Sequence, residues 1–289
     1  MGLGLITFFF LAASVIERTA LGTAITRVLD SLSEPLAHRM GGFVRVVTGA
    51  FFVGLFARGG TYLTPELVTH DELIPWLQLL IGAAIVFQPT RMLAAMGICA
   101  LWLLALRDYA VFHLLDYLAL QLGLAAYCLL DMRSKPAWRE RRFEALRLGL
   151  AVTIIWSSLE KFGYPERFTP VLLERPYLAI GLPNAAFVTM AGVAEFAMGV
   201  GLLWSPFIRR LSAAVLVLAF SAAVIPFGRT DFIGHILIIT MAMVTIADRS
   251  PRRLAYTGLD NPYLNVPAMG VLLMVLFGTA YWGLHRITY

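Results

Sequence analysis

Apolar runs of about 15–22 residues recur along the whole chain, separated by short polar or proline-containing connections. A helix needs about 20 apolar residues to cross a bilayer, so this pattern predicts an all-α, polytopic membrane protein. Several runs are short enough to require tilt or local thinning of the bilayer. Length and hydropathy predict about ten transmembrane helices, at 3–16, 43–58, 75–88, 92–107, 110–130, 146–161, 185–204, 211–227, 232–247 and 267–284.

Composition agrees with this interpretation. The chain is 59% hydrophobic and 14% charged, with a mean hydropathy of +0.77, which is far from the composition of a soluble domain. The net charge of +5 is explained by membrane topology and does not indicate nucleic-acid binding. The lipid bilayer is therefore the first expected partner.

The basic residues follow every second predicted span. By the positive-inside rule those connections are cytoplasmic, which puts both termini on the outer, periplasmic side of a bacterial inner membrane. The cations are Arg18, Arg27, Arg39 and Arg45; Arg91; Arg133, Lys135, Arg139, Arg141, Arg142 and Arg147; Arg209 and Arg210; and Arg249, Arg252 and Arg253. Segment 17–42 mixes apolar and charged positions, so it is either an amphipathic interfacial helix or a plain connection.

The chain contains an internal repeat. Segments 43–131 and 147–248 each hold four predicted spans in the same orientation, which is the pattern of parallel repeats. The first segment, 1–42, and the last, 265–289, each add one further helix. Matching residues occur in the same order: Arg45 with Arg147, Tyr62 with Tyr164, Gln78 with Glu195, Arg91 with Arg209, and His113 with His235.

Glu195 lies in the middle of an apolar span, where an ionisable side chain costs roughly 2.5–3.5 kcal/mol. It is therefore a candidate ligand-binding residue. The alternative is an interhelical hydrogen bond, which Gln78 at the matching position would also make. Near midplane, Glu195 is expected about 15 Å from Lys161 along the membrane normal, at about 1.5 Å per residue.

A second group of polar candidates lies near the predicted outer surface. Its members are Lys161, Arg229, Asp231 and His235 in the second repeat, and His113 and Asp116 in the first, with Glu160 beside Lys161. His113 and Asp116 share a helix face, and a carboxylate beside an imidazole suits proton handling. The alternative is a set of interfacial charges that snorkel, with histidines near helix starts. No run of ligand residues has the spacing of a metal site.

The second repeat resembles the DoxX-like family of four-helix membrane proteins. The resemblance rests on Trp156-Ser-Ser-Leu-Glu-Lys161-Phe, on Ala191-Gly-Val-Ala-Glu195-Phe-Ala-Met-Gly199 and on the span that contains Gly234-His235. It implies a four-helix bundle and service in redox or quinone-linked membrane complexes, with Lys161 and Glu195 at the matching positions. The first repeat resembles the family only by internal alignment, with Gln78 and Arg58 where the family pattern has acidic and basic residues.

Three functions remain open from the sequence. The first is a membrane subunit of a larger redox or quinone-linked complex, with quinone or lipid bound between helices and other membrane or periplasmic subunits as partners. No intrinsic cofactor is expected, so electrons would come from a partner. The second is a non-catalytic scaffold or accessory subunit. The third is a small-solute transporter.

Overall fold

The computed structural model describes residues 2–251, 254 and 261–288, and helices account for 83% of them, without any strand in those ranges. Arg252 and Arg253, which the charge pattern places in a cytoplasmic connection, lie outside the described residues. The helices are α1 (Gly2–Ile16), α2 (Ala20–Ala37), α3 (Met40–Arg58), α4 (Leu73–Ala84), α5 (Arg91–Ala105), α6 (Val111–Asp131), α7 (Pro136–Glu140), α8 (Arg142–Gly163), α9 (Thr169–Glu174), α10 (Asn184–Leu202), α11 (Pro206–Ala247) and α12 (Pro262–Thr288).

Six of these helices are long and apolar enough to cross a membrane, and a seventh span is obtained if α1 and α2 count as one bent pair. The protein is thus a multi-pass helical membrane protein, as the hydrophobic pattern predicts. All ten predicted spans overlap helices, but ten crossings are not established. Helix α4 has only 12 residues, and α8 carries several charges.

Helix α11 is a hairpin, although its 42 residues are continuous in secondary structure. Gly228 has a φ of 78°, in the region that favours glycine, and interrupts the helix. The Nε of Arg210 lies 2.7 Å from the carbonyl oxygen of Ile246, whereas a straight helix would separate them by about 54 Å at about 1.5 Å per residue. The chain therefore reverses at Gly228, between the predicted spans 211–227 and 232–247.

The N-terminal helices meet at a sharp corner. Helices α1 and α2 are bent by 88° relative to each other. A side chain at Gly22 would collide with the backbone of Ile16, so this corner needs glycine. Leu21, Val28 and Leu32 on α2 are exposed. Segment 20–37 is thus helical and is not a plain connection, while its placement in the membrane interface stays a prediction.

The helices are arranged around one continuous core. Consecutive helices α3 to α6 pack against each other, and α8, α10 and the α11 hairpin form a second group. The two groups meet mainly where α6 crosses α8, and also where α11 packs on α3. Helices α1 and α12 pack together; α1 also contacts α10, and α12 contacts α8 and α6.

Two buried aspartates gather arginines at one end of the bundle. Asp131 ends α6 and lies 3.2 Å from Arg45 and 2.7 Å from Arg91. Asp248 follows α11 and lies 3.2 Å from Arg147 and 3.5 Å from Arg209. Because Arg142 also contacts Asp131, at 3.2 Å, and begins the same helix as Arg147, both clusters lie at the same end, which we call the arginine end.

The crossing of α6 and α8 depends on two glycines. A Cβ atom at Gly149 would lie 2.7 Å from the carbonyl oxygen of Ala119 and 2.9 Å from the Cα of Gly123. Real Cβ atoms do not approach backbone so closely, so these helices are in direct backbone contact. Small residues permit such close packing in membrane helices.

We expect Gly149→Ala to lower the free energy of unfolding by about 1–3 kcal/mol, because the added methyl group forces α6 and α8 apart. The measurement is denaturant unfolding of the purified protein in detergent micelles. Gly54→Ala is the matched control, since a Cβ atom at Gly54 in α3 meets nothing within 4 Å. Equal stability of the two variants would contradict the described helix contact.

We also expect Asp131→Asn to destabilise the fold by about 3–5 kcal/mol, because it leaves the buried Arg91 guanidinium without its counter-charge. Asp71→Asn is the control, since Asp71 forms an exposed ion pair with Arg107 at 2.5 Å. Because solvent screens such exposed pairs, this variant should unfold almost as the unmodified chain does. A similar loss of stability in both variants, measured by the same unfolding assay, would argue against a structural role for the arginine end.

Candidate functional site

A cavity of about 330 Å³ lies where the two helix groups meet, away from the arginine end. Helices α6, α8, α10 and α11 contribute to its wall, together with Phe51 of α3 and the loop after α3. Its polar lining residues are Thr64, Glu66, Asp116, Tyr117, Gln121, Thr153, Ser157, Glu160, Lys161, Glu195 and His235. The remaining wall is mostly apolar, with Leu63, Leu120, Ile154, Phe168, Phe220 and Ile238 among its members. Four of the eight candidate residues, Asp116, Lys161, Glu195 and His235, thus line one cavity.

Glu195 and Lys161 form an ion pair. The Nζ of Lys161 donates to Oε2 of Glu195 over 2.6 Å, so the expected separation of about 15 Å is wrong. That expectation assumed that each apolar stretch is centred in the membrane. In the structure α10 extends beyond the end of α8: Gly192 packs against Lys161, and Gly199 packs against Ile155. The close glycine contacts fix this register and place Glu195 beside the last turn of α8.

His235 is oriented by two oxygen atoms of Asp231. Its Nδ1 lies 2.9 Å from the backbone carbonyl oxygen of Asp231 and 3.2 Å from a carboxylate oxygen of the same residue. Both are acceptors, so this arrangement favours the proton on Nδ1. The imidazole stacks on Phe220, with ring centroids 4.7 Å apart. Asp231 therefore acts by orienting His235 and does not itself line the cavity.

Three further carboxyl groups lie around the cavity. Glu66 accepts a hydrogen bond from the Tyr117 hydroxyl at 3.0 Å, and Glu160 accepts one from Arg167 at 2.6 Å. The Glu160 carboxylate raises the pKa of the Arg167 guanidinium above its usual value through that hydrogen bond. Asp116 makes no hydrogen bond or ion pair with a described residue. It is therefore the carboxyl group best placed to interact with a molecule in the cavity.

Two buried side chains in the wall have polar atoms without protein partners. Gln121 is 3% exposed and Thr153 is 7% exposed, and neither the amide oxygen of Gln121 nor the hydroxyl of Thr153 has a hydrogen-bond partner among the described residues. A buried polar group left unsatisfied costs about 1–3 kcal/mol. A bound polar molecule would satisfy both atoms, so they point to a ligand.

The polar residues predicted from the sequence do not include Gln121, Thr153 or Glu66, whereas Glu160 is predicted in the outer cluster beside Lys161. A pattern in α8 could have identified part of this set, because Thr153, Ser157 and Lys161 follow each other at intervals of four residues. Such spacing places all three on one helix face. Glu66 lies in a loop, and no periodic pattern in the sequence connects it with the helices.

The other candidate residues lie outside the cavity. Gln78 is fully buried in α4 and donates hydrogen bonds from Nε2 to the carbonyl oxygens of Thr61 at 2.6 Å and Tyr62 at 2.8 Å. It fixes the loop after α3 and thus has a packing role.

His113 lies between the rings of Tyr109 and Tyr117, at centroid distances of 5.7 and 5.9 Å. Arg229 is exposed next to the reversal at Gly228.

No protein-family model, curated protein or solved structure matches this chain. Within the described residues, no group of three or more His, Cys, Asp or Glu side chains is arranged to hold a metal ion. The site must therefore be interpreted from its own geometry, which is that of a small cavity with mixed hydrogen-bonding groups between apolar walls.

The ion pair gives a direct test of the cavity's structure. We expect Lys161→Met to destabilise the protein by about 1–3 kcal/mol, since it leaves the Glu195 carboxylate without its cation. The double variant Lys161→Met/Glu195→Gln should recover most of that loss, because it removes both charges. A double-mutant cycle from denaturant unfolding measures the coupling, and additive effects would contradict the pairing.

Proposed function

We propose that this protein is an integral membrane subunit of a larger redox or quinone-linked complex, and that its cavity binds the head group of a quinone. The observation that carries the proposal is a pair of buried, unpartnered polar atoms in a cavity that also contains Lys161, Asp116 and His235. The Thr153 hydroxyl can donate to a quinone oxygen, and the amide oxygen of Gln121 can accept from a hydroxyl of the reduced quinol. The cavity volume of about 330 Å³ lies at the lower end of the range of roughly 300–1,000 Å³ for ligand pockets.

The cavity contains hydrogen-bond donors and proton-exchanging groups that can interact with the oxygens of a quinone head group. A quinone oxygen accepts hydrogen bonds, and the Lys161 ammonium and the Thr153 hydroxyl are donors. When bound, the quinone would accept electrons from a partner subunit. Asp116 and His235 are groups that can exchange protons with its oxygens. The apolar walls, including Phe220 and Ile154, suit the ring and the start of an isoprenoid tail.

We also propose the finer architecture that the repeat implies, namely two parallel DoxX-like four-helix units at 43–131 and 147–248. The two aspartate clusters support it. Arg45 and Arg91 meet Asp131 as Arg147 and Arg209 meet Asp248, and each set comes from the beginnings of two helices and the end of a third. If the arginine end is cytoplasmic, the cavity lies towards the outer leaflet of a bacterial inner membrane, where periplasmic subunits would have access.

A non-catalytic scaffold is the second candidate. One observation favours it: Glu195 pairs with Lys161, and Gln78, which lies outside the cavity, is anchored through its Nε2 to two backbone carbonyl oxygens while its amide oxygen has no described partner. The unpartnered atoms of Gln121 and Thr153 are the feature that a scaffold leaves unexplained. The reversal of α11 at Gly228 lies at a hairpin turn rather than inside a span, so it does not favour a transporter.

The decisive experiment replaces the unpartnered polar atoms by apolar atoms of similar shape. We expect Thr153→Val and Gln121→Leu to leave the free energy of unfolding unchanged or raised, because no protein hydrogen bond is lost. Thr153→Val should weaken binding of a soluble ubiquinone analogue about tenfold, because a donor to the quinone oxygen is lost, and Gln121→Leu should weaken binding of the reduced quinol form by a similar factor, because an acceptor for its hydroxyl is lost. Binding is measured by quenching of tryptophan fluorescence in detergent micelles.

Two comparisons complete the test. Glu72→Gln is the control, because Glu72 is exposed and does not line the cavity, and its quinone affinity should equal that of the unmodified chain. Stable variants that bind the quinone analogue as tightly as the unmodified protein would refute the quinone site. An unmodified protein that does not bind the analogue at all would leave the scaffold as the better function.

A further inference from the structure

A second cavity lies at the arginine end, outside the site described above. It is a groove of about 600 Å³ at the junction of α6 and α7. Ala126, Leu129 and Leu130 of α6 form an apolar wall, and Arg133, Lys135 and Trp138 lie around its mouth. The groove is thus apolar along the helix and positively charged where the helix ends.

The cations at the mouth have no counter-charges in the protein. Arg133 and Lys135 are exposed, and neither forms an ion pair with a described carboxylate. The surrounding segment 133–147 contains six Lys or Arg residues and only two carboxylates, Glu140 and Glu144. Positive charge therefore accumulates at this corner and would attract an anion.

The corresponding corner of the other helix group is different. There the α2 carboxylates Asp30 and Glu34 pair with Arg210 and Arg249, so protein groups supply the negative charge. At the first corner four arginines, Arg45, Arg91, Arg139 and Arg142, instead share the single carboxylate of Asp131 within 4 Å. Among the described residues, the second corner thus receives carboxylates from α2, whereas the first corner keeps excess cations.

We propose that the groove between α6 and α7 is a binding site for an anionic phospholipid. The lipid phosphate lies between Arg133 and Lys135, and an acyl chain follows the apolar wall formed by Leu129 and Ala126. Trp138 is half-exposed at the mouth, a position typical of aromatic residues at the level of lipid head groups. Basic pockets at helix ends are a recognised means of binding anionic lipids.

The combination of charge and shape favours a lipid over a free anion. A free phosphate would need only the cations, whereas the groove continues from them along the apolar side chains of Ala126, Leu129 and Leu130, of which Leu129 is exposed. A zwitterionic phospholipid offers the same chains but no net negative charge. The site should therefore require both a net anionic head group and an acyl chain.

The test measures lipid binding to the purified, delipidated full-length protein by native mass spectrometry. Phosphatidylglycerol is the probe, and phosphatidylcholine with identical chains is the comparison lipid. We expect Arg133→Gln/Lys135→Gln to bind phosphatidylglycerol about 25-fold more weakly, since each cation near an anionic head group contributes about fivefold. Binding of phosphatidylcholine should not change.

Arg18→Gln/Arg27→Gln is the matched control, because both arginines are exposed, lie outside the groove and form no described ion pair. It should retain the affinity of the unmodified chain for phosphatidylglycerol. An equal loss in both double variants would show general surface attraction and overturn the site. So would inorganic phosphate that displaces the lipid at low millimolar concentration, or equal binding of the two lipids by the unmodified protein.

Discussion

Pairing of buried charge is the constraint on which this structure depends. Asp131 and Asp248 are buried, and an isolated charge in a protein interior is strongly unfavourable. Each is therefore surrounded by arginines that come from the beginnings of other helices. Because a guanidinium group is planar and always charged, it can satisfy a carboxylate and a backbone carbonyl together, as Arg209 does with Asp248. These contacts join helix ends that are distant in sequence.

Close packing of the helices determines the positions of the Glu195–Lys161 ion pair and of the cavity. The contact of Gly123 with Gly149 holds the two helix groups together, and the contacts of Gly192 and Gly199 set the register of α10 on α8. This register brings Glu195 to Lys161 and leaves a cavity between the groups. The cavity is formed by both helix groups, so neither group alone would contain it.

Charge is distributed unequally between the two groups, and the difference has chemical consequences. The second group contributes Lys161, Glu195 and His235 to the cavity, whereas the first contributes Asp116 and Gln121, and Gln78 serves only to hold a loop. At the arginine end the second group receives carboxylates from α2, while the first keeps excess cations. The quinone proposed inside the bundle and the lipid proposed at its edge would both follow from this asymmetry.

The sequence by itself determined the helical, multi-pass membrane class. Its apolar runs match the thickness of a bilayer, and a helix satisfies all of its backbone hydrogen bonds within such a run. It also identified Glu195, Lys161, Asp116 and His235 as unusual, since polar groups within apolar spans are costly. It did not determine which of them meet. The predicted separation of Lys161 and Glu195 along the membrane normal was wrong. The register of α10 on α8 depends on contacts of glycines with side chains of the neighbouring helix, which the sequence does not show. Gln121 and Thr153 became notable only when burial showed their polar atoms without partners. Register and burial are properties of packed helices, so only the tertiary structure could decide them.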